Sequence, residues 1–547
     1  MNIFRNNSWL LIIIAFFIFA RFFGLGQLYH QDEYRWATIV NPEFKEGISP
    51  HPPVMEFVLS AVGGLFGYEN LRLAPLVFSI LNLVLLYLIS LHLTGNKKTA
   101  LTAAGLLTVS IYSFIASLQI DMDGAVLPFF VLSSYYFYLR LRASGDKKFI
   151  LLFSAAIIGG FMTKISFVLF AVALATEYLW TLYQEDKFRD KIKRIIFWFG
   201  LAIAIVSGIY AIYGYNHPRL VEYVEGFKAF NFGSRAYFEL FMRLFKFFIW
   251  LSPMLLLPLV YGIFKKEIFS RYRVWFIYTL FNFVFYLVIF DFARLPIERY
   301  FMFIILPAIL ISAEFITSQL SKLNRKYLVL SLVGFALLVI VGFLVNYEVV
   351  PLNPKEAYIE KVRDLDFNFL IPLTGGSGPI GFYASAQFIL WTWFACAVGL
   401  FMNRRRWAIY LFLIFGLGYN VFLSSEFLFG SLYGSVNKIT KQSVDYVLNN
   451  DDIDEVITYY DAGVYYLRMN EKYNGRFYTA PSRDYAPKLT IYRGHYLIVD
   501  FPAIDKKSKY WELISRCTID KKFTDKYVDS YIFDCSRVPV ASLDKSM

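Results

Sequence analysis

Long apolar segments constrain this chain more than any other feature of its sequence. A helix needs roughly 20 apolar residues to cross a hydrocarbon core about 30 Å thick, and about thirteen windows of that kind precede residue 431. Hydrophobic residues make up 57% of the 547 residues and charged residues only 18%, which excludes an ordinary soluble protein. We predict an all-α polytopic membrane domain over residues 1–430. Its helices are expected near 8–26, 71–94, 99–118, 124–141, 149–163, 165–183, 195–215, 240–263, 274–291, 301–320, 327–346, 381–402 and 407–427.

Basic residues occupy every second loop between these windows, and acidic residues occupy the others. Lys and Arg stay on the cytoplasmic side of a membrane. We therefore place the amino terminus inside and, with an odd number of crossings, the carboxy-terminal tail outside the cytoplasmic membrane. The net charge of +12 comes from this loop asymmetry, and no nucleic-acid partner is expected. The basic loops include Lys97 and Lys98, Arg140 to Lys148, Lys187 to Arg194, Lys265 to Arg273, Lys322 to Lys326, and Arg404 to Arg406.

The last 117 residues, 431–547, have a different composition and are predicted to form a small soluble α/β domain outside the membrane. Alternating and helical patterns predict the following elements. Helices are expected at 437–450, 462–469 and 507–516, strands at 455–460, 476–479 and 495–501, and a hairpin at 518–533. The hairpin would bring Cys517 opposite Cys535, so we predict a disulfide between them in an oxidising compartment. The longest irregular stretch between membrane helices is expected at 351–379.

Two adjacent carboxylates, Asp32 and Glu33, follow the first membrane helix in the segment 29–36, YHQDEYRW. Neighbouring acids repel each other, and a site that keeps them together usually uses one as a base and holds the other with a cation. The alternative is a solvated loop whose acids have no chemical role. His51 and two prolines then open a short amphipathic stretch, 54–68, which is too short to span and is expected along the membrane interface.

The remaining candidate residues also fall in or near the outer loops. Asp121 and Asp123 have the D-x-D spacing that can hold a divalent cation, although a helix cap explains them equally well. Lys164 lies in an apolar stretch and needs an anionic partner unless it reaches the membrane surface. A further outer-loop cluster suggests anion binding, with interfacial anchoring as the alternative. It comprises Arg294, Glu298, Arg299 and Tyr300.

The ordered set of these motifs resembles the GT-C superfamily of polytopic glycosyltransferases, in the branch of protein O-mannosyltransferases and lipid A aminoarabinose transferases. The resemblance covers roughly residues 1–320. It rests on Asp32-Glu33, on 51–53 (HPP) running to Phe66-Gly67, on 71–75 (LRLAP), on Asp123, on Thr163-Lys164, and on Arg299-Tyr300 with Pro307. It departs from the aminoarabinose transferases, which usually carry a lysine where this chain has His51, and Asp121 is additional.

The resemblance implies a sugar donor linked to polyprenyl phosphate, a hydroxyl acceptor on a protein, lipid or glycan, and a hexosyl or pentosyl transfer with inversion. Asp32 would be the base, and Glu33 would orient the acceptor or a cation. The donor phosphate would be bound by Lys164, Arg294, Arg299, Tyr300, His51 and Arg72. A divalent cation, if one is used, would bind Asp121 and Asp123.

Two other function classes also fit a helical bundle that contains charges. A transporter or lipid flippase would show repeated halves and helices broken at the midplane, and the sequence shows neither. A glycan ligase or polymerase that uses a pyrophosphate-linked donor is the second alternative, and the sequence does not distinguish it.

Overall fold

The chain forms two compact units in the computed structural model, and each is described separately. The amino-terminal unit comprises Met1–Phe22 and Thr38–Leu323, and the carboxy-terminal unit comprises Phe23–Ala37 and Asn324–Met547. The described residues are 8–44, 49, 51–185, 200, 204, 207–208, 211, 236–289, 298–319, 325–352, 356–374, 380–405, 407–454, 456–459, 461–469, 479–480 and 494–537.

The amino-terminal unit is helical. Its longer helices are Ser8–Phe22, Val54–Phe66, Leu73–Thr94, Lys97–Val109, Leu127–Ser144, Lys148–Phe161, Phe167–Gln184, Tyr237–Leu251, Pro253–Ile263, Arg273–Val284 and Ile305–Gln319. Shorter helical segments are Tyr68–Asn70, Ile111–Ala116, Met122–Val126, Lys266–Arg271, Phe285–Ile289 and Glu298–Ile304. The predicted windows in this unit overlap these helices, except 195–215, in which the structure describes only residues 200, 204, 207–208 and 211.

The predicted count of thirteen membrane helices is not confirmed. Among the described residues, six helices are long and apolar enough to cross a membrane, or seven if Leu240–Leu251 and Pro253–Ile263, bent by 105°, form one broken span. Several predicted windows form helices too short to count as full spans, such as Ser8–Phe22 with 15 residues and Lys148–Phe161 with 14. The six helices long enough to span a membrane are Tyr68–Thr94, Met122–Ser144, Phe167–Gln184, Tyr300–Gln319, Lys326–Leu344 and Ala408–Phe429.

The carboxy-terminal unit combines apolar helices with two small sheets. Its helices are Arg325–Leu344, Glu356–Arg363, Ala386–Phe401, Ala408–Phe429, Val436–Leu448, Val464–Arg468 and Lys509–Ile514. Its strands are β1 (Glu348–Val349), β2 (Phe369–Leu373), β3 (Phe382–Ser385), β4 (Val456–Tyr459), β5 (Thr479–Ala480), β6 (His495–Val499), β7 (Thr518–Asp525) and β8 (Val528–Asp534). The helix Asp32–Val40 begins in this unit.

The predicted α/β tail is present, and its main sheet has the order β5-β4-β6-β8-β7. Strand β4 pairs in parallel with β5 and β6, whereas β8 pairs antiparallel with β6 and β7. The helix Val436–Leu448 buries Ile439 and Val447 in one cluster with Leu497 of β6 and Ile532 of β8. Strand β6 alternates between two cores, because Tyr496 and Ile498 lie in a second cluster.

The expectation of an irregular loop at 351–379 is wrong. The segment contains the helix Glu356–Arg363 and strand β2, which pairs with β1 and β3. Strand β2 is an uninterrupted apolar run, FLIPL, that lacks the alternation of a half-buried strand. The boundary between the two compact units lies at residue 323, whereas composition suggested a domain boundary at 430. The two differ because the helices from Arg325 onwards belong to the same compact unit as the tail.

The structure joins Cys517 to Cys535 in a disulfide and leaves Cys396 as a buried free thiol. The bond closes the hairpin β7–β8 at its open end, since β7 begins at Thr518 and β8 ends at Asp534. We expect alkylation under denaturing, non-reducing conditions to modify Cys396 alone. Intact-mass measurement checks this expectation, with a reduced sample as the control in which all three cysteines react. Three modified thiols without reductant would contradict the bond.

Candidate active site

A break in the helical structure between residues 109 and 127 organises the site in the amino-terminal unit. The helix Lys97–Val109 ends at Ser110, the short helix Ile111–Ala116 follows, and a single wide turn, Met122–Val126, leads into Leu127–Ser144. At this turn the backbone of Gly124 approaches that of Ala116 closely. A Cβ at Gly124 would lie 2.6 Å from the Ala116 carbonyl oxygen.

Side chains from other helices satisfy the backbone groups that the break releases. Arg21 donates to the Thr108 carbonyl at 3.2 Å. Arg72 Nε donates to the Leu118 carbonyl at 2.8 Å. Asn82 donates to the Ala125 carbonyl at 2.8 Å. Irregular backbone at membrane depth persists only where protein groups or water satisfy it, and in membrane proteins it commonly lines a functional cavity.

Arg21 was not among the predicted site residues. Its guanidinium is fully buried, donates from Nε to Ser117 Oγ at 2.6 Å, and lies 3.4 Å from the ring centroid of Phe17 and 4.5 Å from that of Phe114. The signal in the sequence was an arginine within an apolar window, because a buried charge in a membrane helix usually has a defined partner. Its carbonyl partner, Thr108, is 87 residues away and could not be identified from the sequence.

Asp123 and Lys164 form a buried ion pair beside this break. Lys164 Nζ lies 2.5 Å from Asp123 Oδ2, and the two residues are 8% and 6% exposed. Lys164 Nζ also lies 4.6 Å from the ring centroid of Tyr300. Asp121 caps the turn, since its carboxylate accepts a 2.9 Å hydrogen bond from the Asp123 backbone N–H. The structure thus brings together four predicted residues from three regions of the sequence.

The other residues predicted to bind the phosphate lie in different environments. Arg72 is 1% exposed and is engaged by the Leu118 carbonyl, as described above. His51 is half-buried just before the helix Val54–Phe66, and the Val54 N–H donates to the carbonyl of Met162, two residues from Lys164. Arg294 and the side chain of Arg299 lie outside the described residues.

A narrow cavity opens beside Asp123. Aromatic and polar side chains surround it, including the phenol groups of Tyr278, Tyr286 and Tyr300 and the amide of Asn282. Ser166, two residues after Lys164, also lies on its wall. Asp123 therefore borders a small cavity whose wall combines aromatic, aliphatic and hydrogen-bonding residues.

The predicted catalytic acids belong to the carboxy-terminal unit, in the segment Phe23–Ala37. Asp32 and Glu33 begin the helix Asp32–Val40, where carboxylates interact favourably with the helix dipole. Glu33 is fully buried, whereas the Asp32 side chain is 21% exposed and pairs at 3.2 Å with the exposed Arg35. Gln31, immediately before them, has a left-handed backbone with φ 46°. Such strain in a non-glycine residue is typical of functional sites.

Residues near the carboxy terminus hold this first loop. The Leu28 N–H donates to Asn437 at 3.0 Å, and Arg468 donates to the Tyr34 hydroxyl at 2.7 Å. The ring of Tyr29 lies 5.0 Å from that of Tyr465. The acid pair is therefore part of the same compact unit as the main sheet.

Among the described residues, no group of three or more His, Cys, Asp or Glu side chains is arranged to hold a metal ion. The Asp123 carboxylate contacts Lys164, and the Asp121 carboxylate accepts the backbone bond of the cap. A divalent cation at these two residues would have to share them with those partners, and its binding stays a prediction.

Two comparisons with known proteins bear on this geometry. Residues 50–210 match the family model described as dolichyl-phosphate-mannose-protein mannosyltransferase. The structure resembles that of ArnT from Cupriavidus metallidurans bound to undecaprenyl phosphate, with a TM-score of 0.54 and 15% identity over 98% of this chain and 99% of that one. The predicted resemblance to the GT-C superfamily is confirmed, and at this identity the match establishes the fold alone.

More distant similarities have lower scores and carry no argument here. The Pmt1-Pmt2 protein O-mannosyltransferase complex of S. cerevisiae matches with a TM-score of 0.33 and 18% identity over 40% of this chain and 35% of that one. The oligosaccharyltransferase of Archaeoglobus fulgidus matches with a TM-score of 0.41 and 11% identity over 86% and 64%. No curated protein sequence matches this chain significantly.

We expect Gly124→Ala to push the turn Met122–Val126 away from Ala116, because the added methyl group would contact backbone atoms and not a flexible side chain. Overpacking of this kind typically costs about 1–3 kcal/mol. Gly105→Ala is the matched control, since a Cβ at this position in the helix Lys97–Val109 has no atom within 4 Å. Thermal unfolding in detergent should show a lower midpoint for Gly124→Ala only. Equal midpoints would mean that the close approach is not needed.

Proposed function

We propose that this protein is a glycosyltransferase that moves a sugar from a polyprenyl-phosphate donor to a hydroxyl acceptor. The observation that carries the proposal is the ArnT-like fold over 98% of the chain, together with the undecaprenyl phosphate that the ArnT structure contains. The match of residues 50–210 to a mannosyltransferase family supports it independently. The class of sugar, hexose or pentose, and the acceptor, a protein, lipid or glycan, are left open.

The proposed reaction needs one base and one group of cations. The base takes the proton of the acceptor hydroxyl, the acceptor oxygen forms a bond to the anomeric carbon, and the bond from that carbon to the phosphate oxygen breaks. The electron pair leaves with the polyprenyl phosphate, and attack from the opposite side inverts the anomeric centre. Positively charged groups that stabilise the departing phosphate lower the barrier to this step.

Lys164 is the proposed centre of the phosphate site. It is a buried cation next to a cavity, and Tyr300 adds a phenol within reach of the same space. Arg294, Arg299, His51 and Arg72 are proposed to complete the site. An anion that reaches Lys164 would have to share it with Asp123, so we assign Asp123 the role of holding the lysine in position.

We propose Asp32 as the base. Protonation of Asp123 would leave Lys164 as an unpaired buried charge, which is costly. Asp32, in contrast, is partly exposed, and its partner Arg35 is 71% exposed, so that ion pair is weak. Glu33, fully buried beside it, is proposed to orient the acceptor.

We propose the cytoplasmic membrane as the location, with Asp32, Glu33 and the soluble domain on its outer face. The alternation of basic and acidic loops supports this orientation. A polyprenyl-phosphate donor would then be used at the outer leaflet.

Asp32→Asn should abolish transfer while leaving donor binding nearly unchanged, because the amide keeps the shape of the side chain but cannot accept the proton. A general base contributes about 10²–10⁴ in rate. The measurement is release of polyprenyl phosphate from a labelled polyprenyl-phosphate sugar by the purified protein, with donor binding measured separately. Lys164→Ala should instead weaken donor binding as well as rate.

Asp123→Asn is the comparison that decides between the two acids. If it removes all activity while Asp32→Asn remains active, the base lies in the second loop and our assignment is wrong. If the wild-type protein releases no polyprenyl phosphate from any such donor, the proposed function itself fails.

The proposed orientation predicts which engineered cysteines react from outside. Gln442→Cys lies on the exposed face of the helix Val436–Leu448 and should react with an impermeant thiol reagent applied to intact cells. Ser144→Cys, exposed at the end of Leu127–Ser144, should react only after the cells are opened. Reversed labelling would refute the orientation.

A further inference from the structure

A large apolar pocket lies among three helices of the carboxy-terminal unit, Arg325–Leu344, Ala386–Phe401 and Ala408–Phe429. Its cavity volume is about 550 Å³. Among the described residues on its wall, none is charged. Leucine, valine and aromatic side chains such as Leu337, Val341, Trp391, Phe394 and Phe415 form most of the wall.

The polar residues of the pocket lie at one end. Tyr347 follows the end of Arg325–Leu344, Gln387 is the second residue of Ala386–Phe401, and Tyr433 follows the end of Ala408–Phe429. A Cβ at Gly342 would lie 3.9 Å from both phenol oxygens, so the hydroxyls of Tyr347 and Tyr433 converge. Tyr433 is 1% exposed, and its hydroxyl faces those of Ser385 and Tyr347. This end can therefore donate hydrogen bonds to a neutral acceptor.

The other end of the pocket extends into the apolar part of the helices. From Gln387 to Ala395 the helix rises about 12 Å, at 1.5 Å per residue. The window of high hydropathy in Lys326–Leu344 is only 6% buried, so this wall of the pocket borders the lipid. An apolar cavity does not hold ordered water, and hydrocarbon is the medium that reaches it.

We propose that this pocket binds one acyl chain of a bilayer phospholipid, with the ester carbonyl of that chain at the hydroxyls of Tyr347 and Tyr433. The neutral ester carbonyl is a suitable acceptor for phenol donors. The isoprenoid tail of a polyprenyl phosphate fits less well. Its phosphate is attached directly to the chain and would enter a region where the described wall offers no cation. The inference does not depend on the proposed glycosyl transfer.

The test uses the full-length protein in vesicles of phosphatidylcholine that carries a photoreactive diazirine in its ester-linked acyl chain. Peptides that contain 334–342 or 391–395 should be labelled. Gly334→Leu and Gly342→Leu place a large side chain at the pocket wall, and a Cβ at either position has no atom closer than 3.8 Å. Labelling of these peptides should fall about tenfold, the effect of losing 1.4 kcal/mol of binding. Ala336→Leu, on the exposed face of the same helix, is the matched control and should label like the wild type.

Two results would overturn the proposal. Equal labelling in the glycine variants and the Ala336→Leu control would mean that only bulk lipid touches these helices. Preferential labelling of the same peptides by a diazirine derivative of undecaprenyl phosphate would assign the pocket to an isoprenoid chain.

Tyr433→Phe provides a test that does not depend on filling the pocket. In the wild type, an ester-linked phospholipid should compete with the photoreactive lipid better than its ether-linked analogue, which lacks the carbonyl. Removing the hydroxyl should abolish that difference. A preference for the ester that is unchanged in Tyr433→Phe, or no preference in the wild type, would contradict the proposed contact.

Discussion

Backbone groups that leave a helix in the interior of a protein must find partners there, and this requirement shapes the amino-terminal unit. The break between residues 109 and 127 exposes carbonyls that Arg21, Arg72 and Asn82 satisfy. Arg21 belongs to the helix Ser8–Phe22, and Arg72 and Asn82 lie at the start of and within Leu73–Thr94, so the break ties these two earlier helices together. The irregular turn Met122–Val126 also directs Asp123 towards Lys164. A small cavity lined by Asp123 and three tyrosines lies next to the turn.

The environments of the two acidic motifs differ. Asp123 is buried and held by a lysine, and removing one partner of such a pair is strongly destabilising. Asp32 keeps partial exposure beside a strained Gln31, and its arginine partner is mostly in solvent. One carboxylate is thus buried in a tight ion pair, and the other is partly exposed beside an exposed arginine. This contrast, more than the spacing of either motif, is the basis for assigning different roles to them.

The sequence predicted the features that depend on composition and local pattern. Apolar windows located the helices, and alternation located β6 and the hairpin β7–β8. It also selected Asp123 and Lys164, but it could not pair them, because a contact between residues 41 positions apart depends on helix packing. Arg21 was missed for the same reason. Strand β2 was missed because its residues are apolar throughout and do not alternate. Helix lengths were overestimated, since hydropathy continues past the residue at which a helix ends.

The loop that carries Asp32 and Glu33 is held by residues made much later during synthesis. Leu28 bonds to Asn437, which is 409 positions away, and Tyr34 bonds to Arg468, which is 434 positions away. Ribosomes add about 5–20 residues per second, so these partners follow the loop by about 20–90 s. During that interval the helix Ser8–Phe22 is already made, while the acid pair has none of these stabilising contacts. The nascent chain therefore cannot complete this part of the molecule until Asn437 and Arg468 have been synthesised.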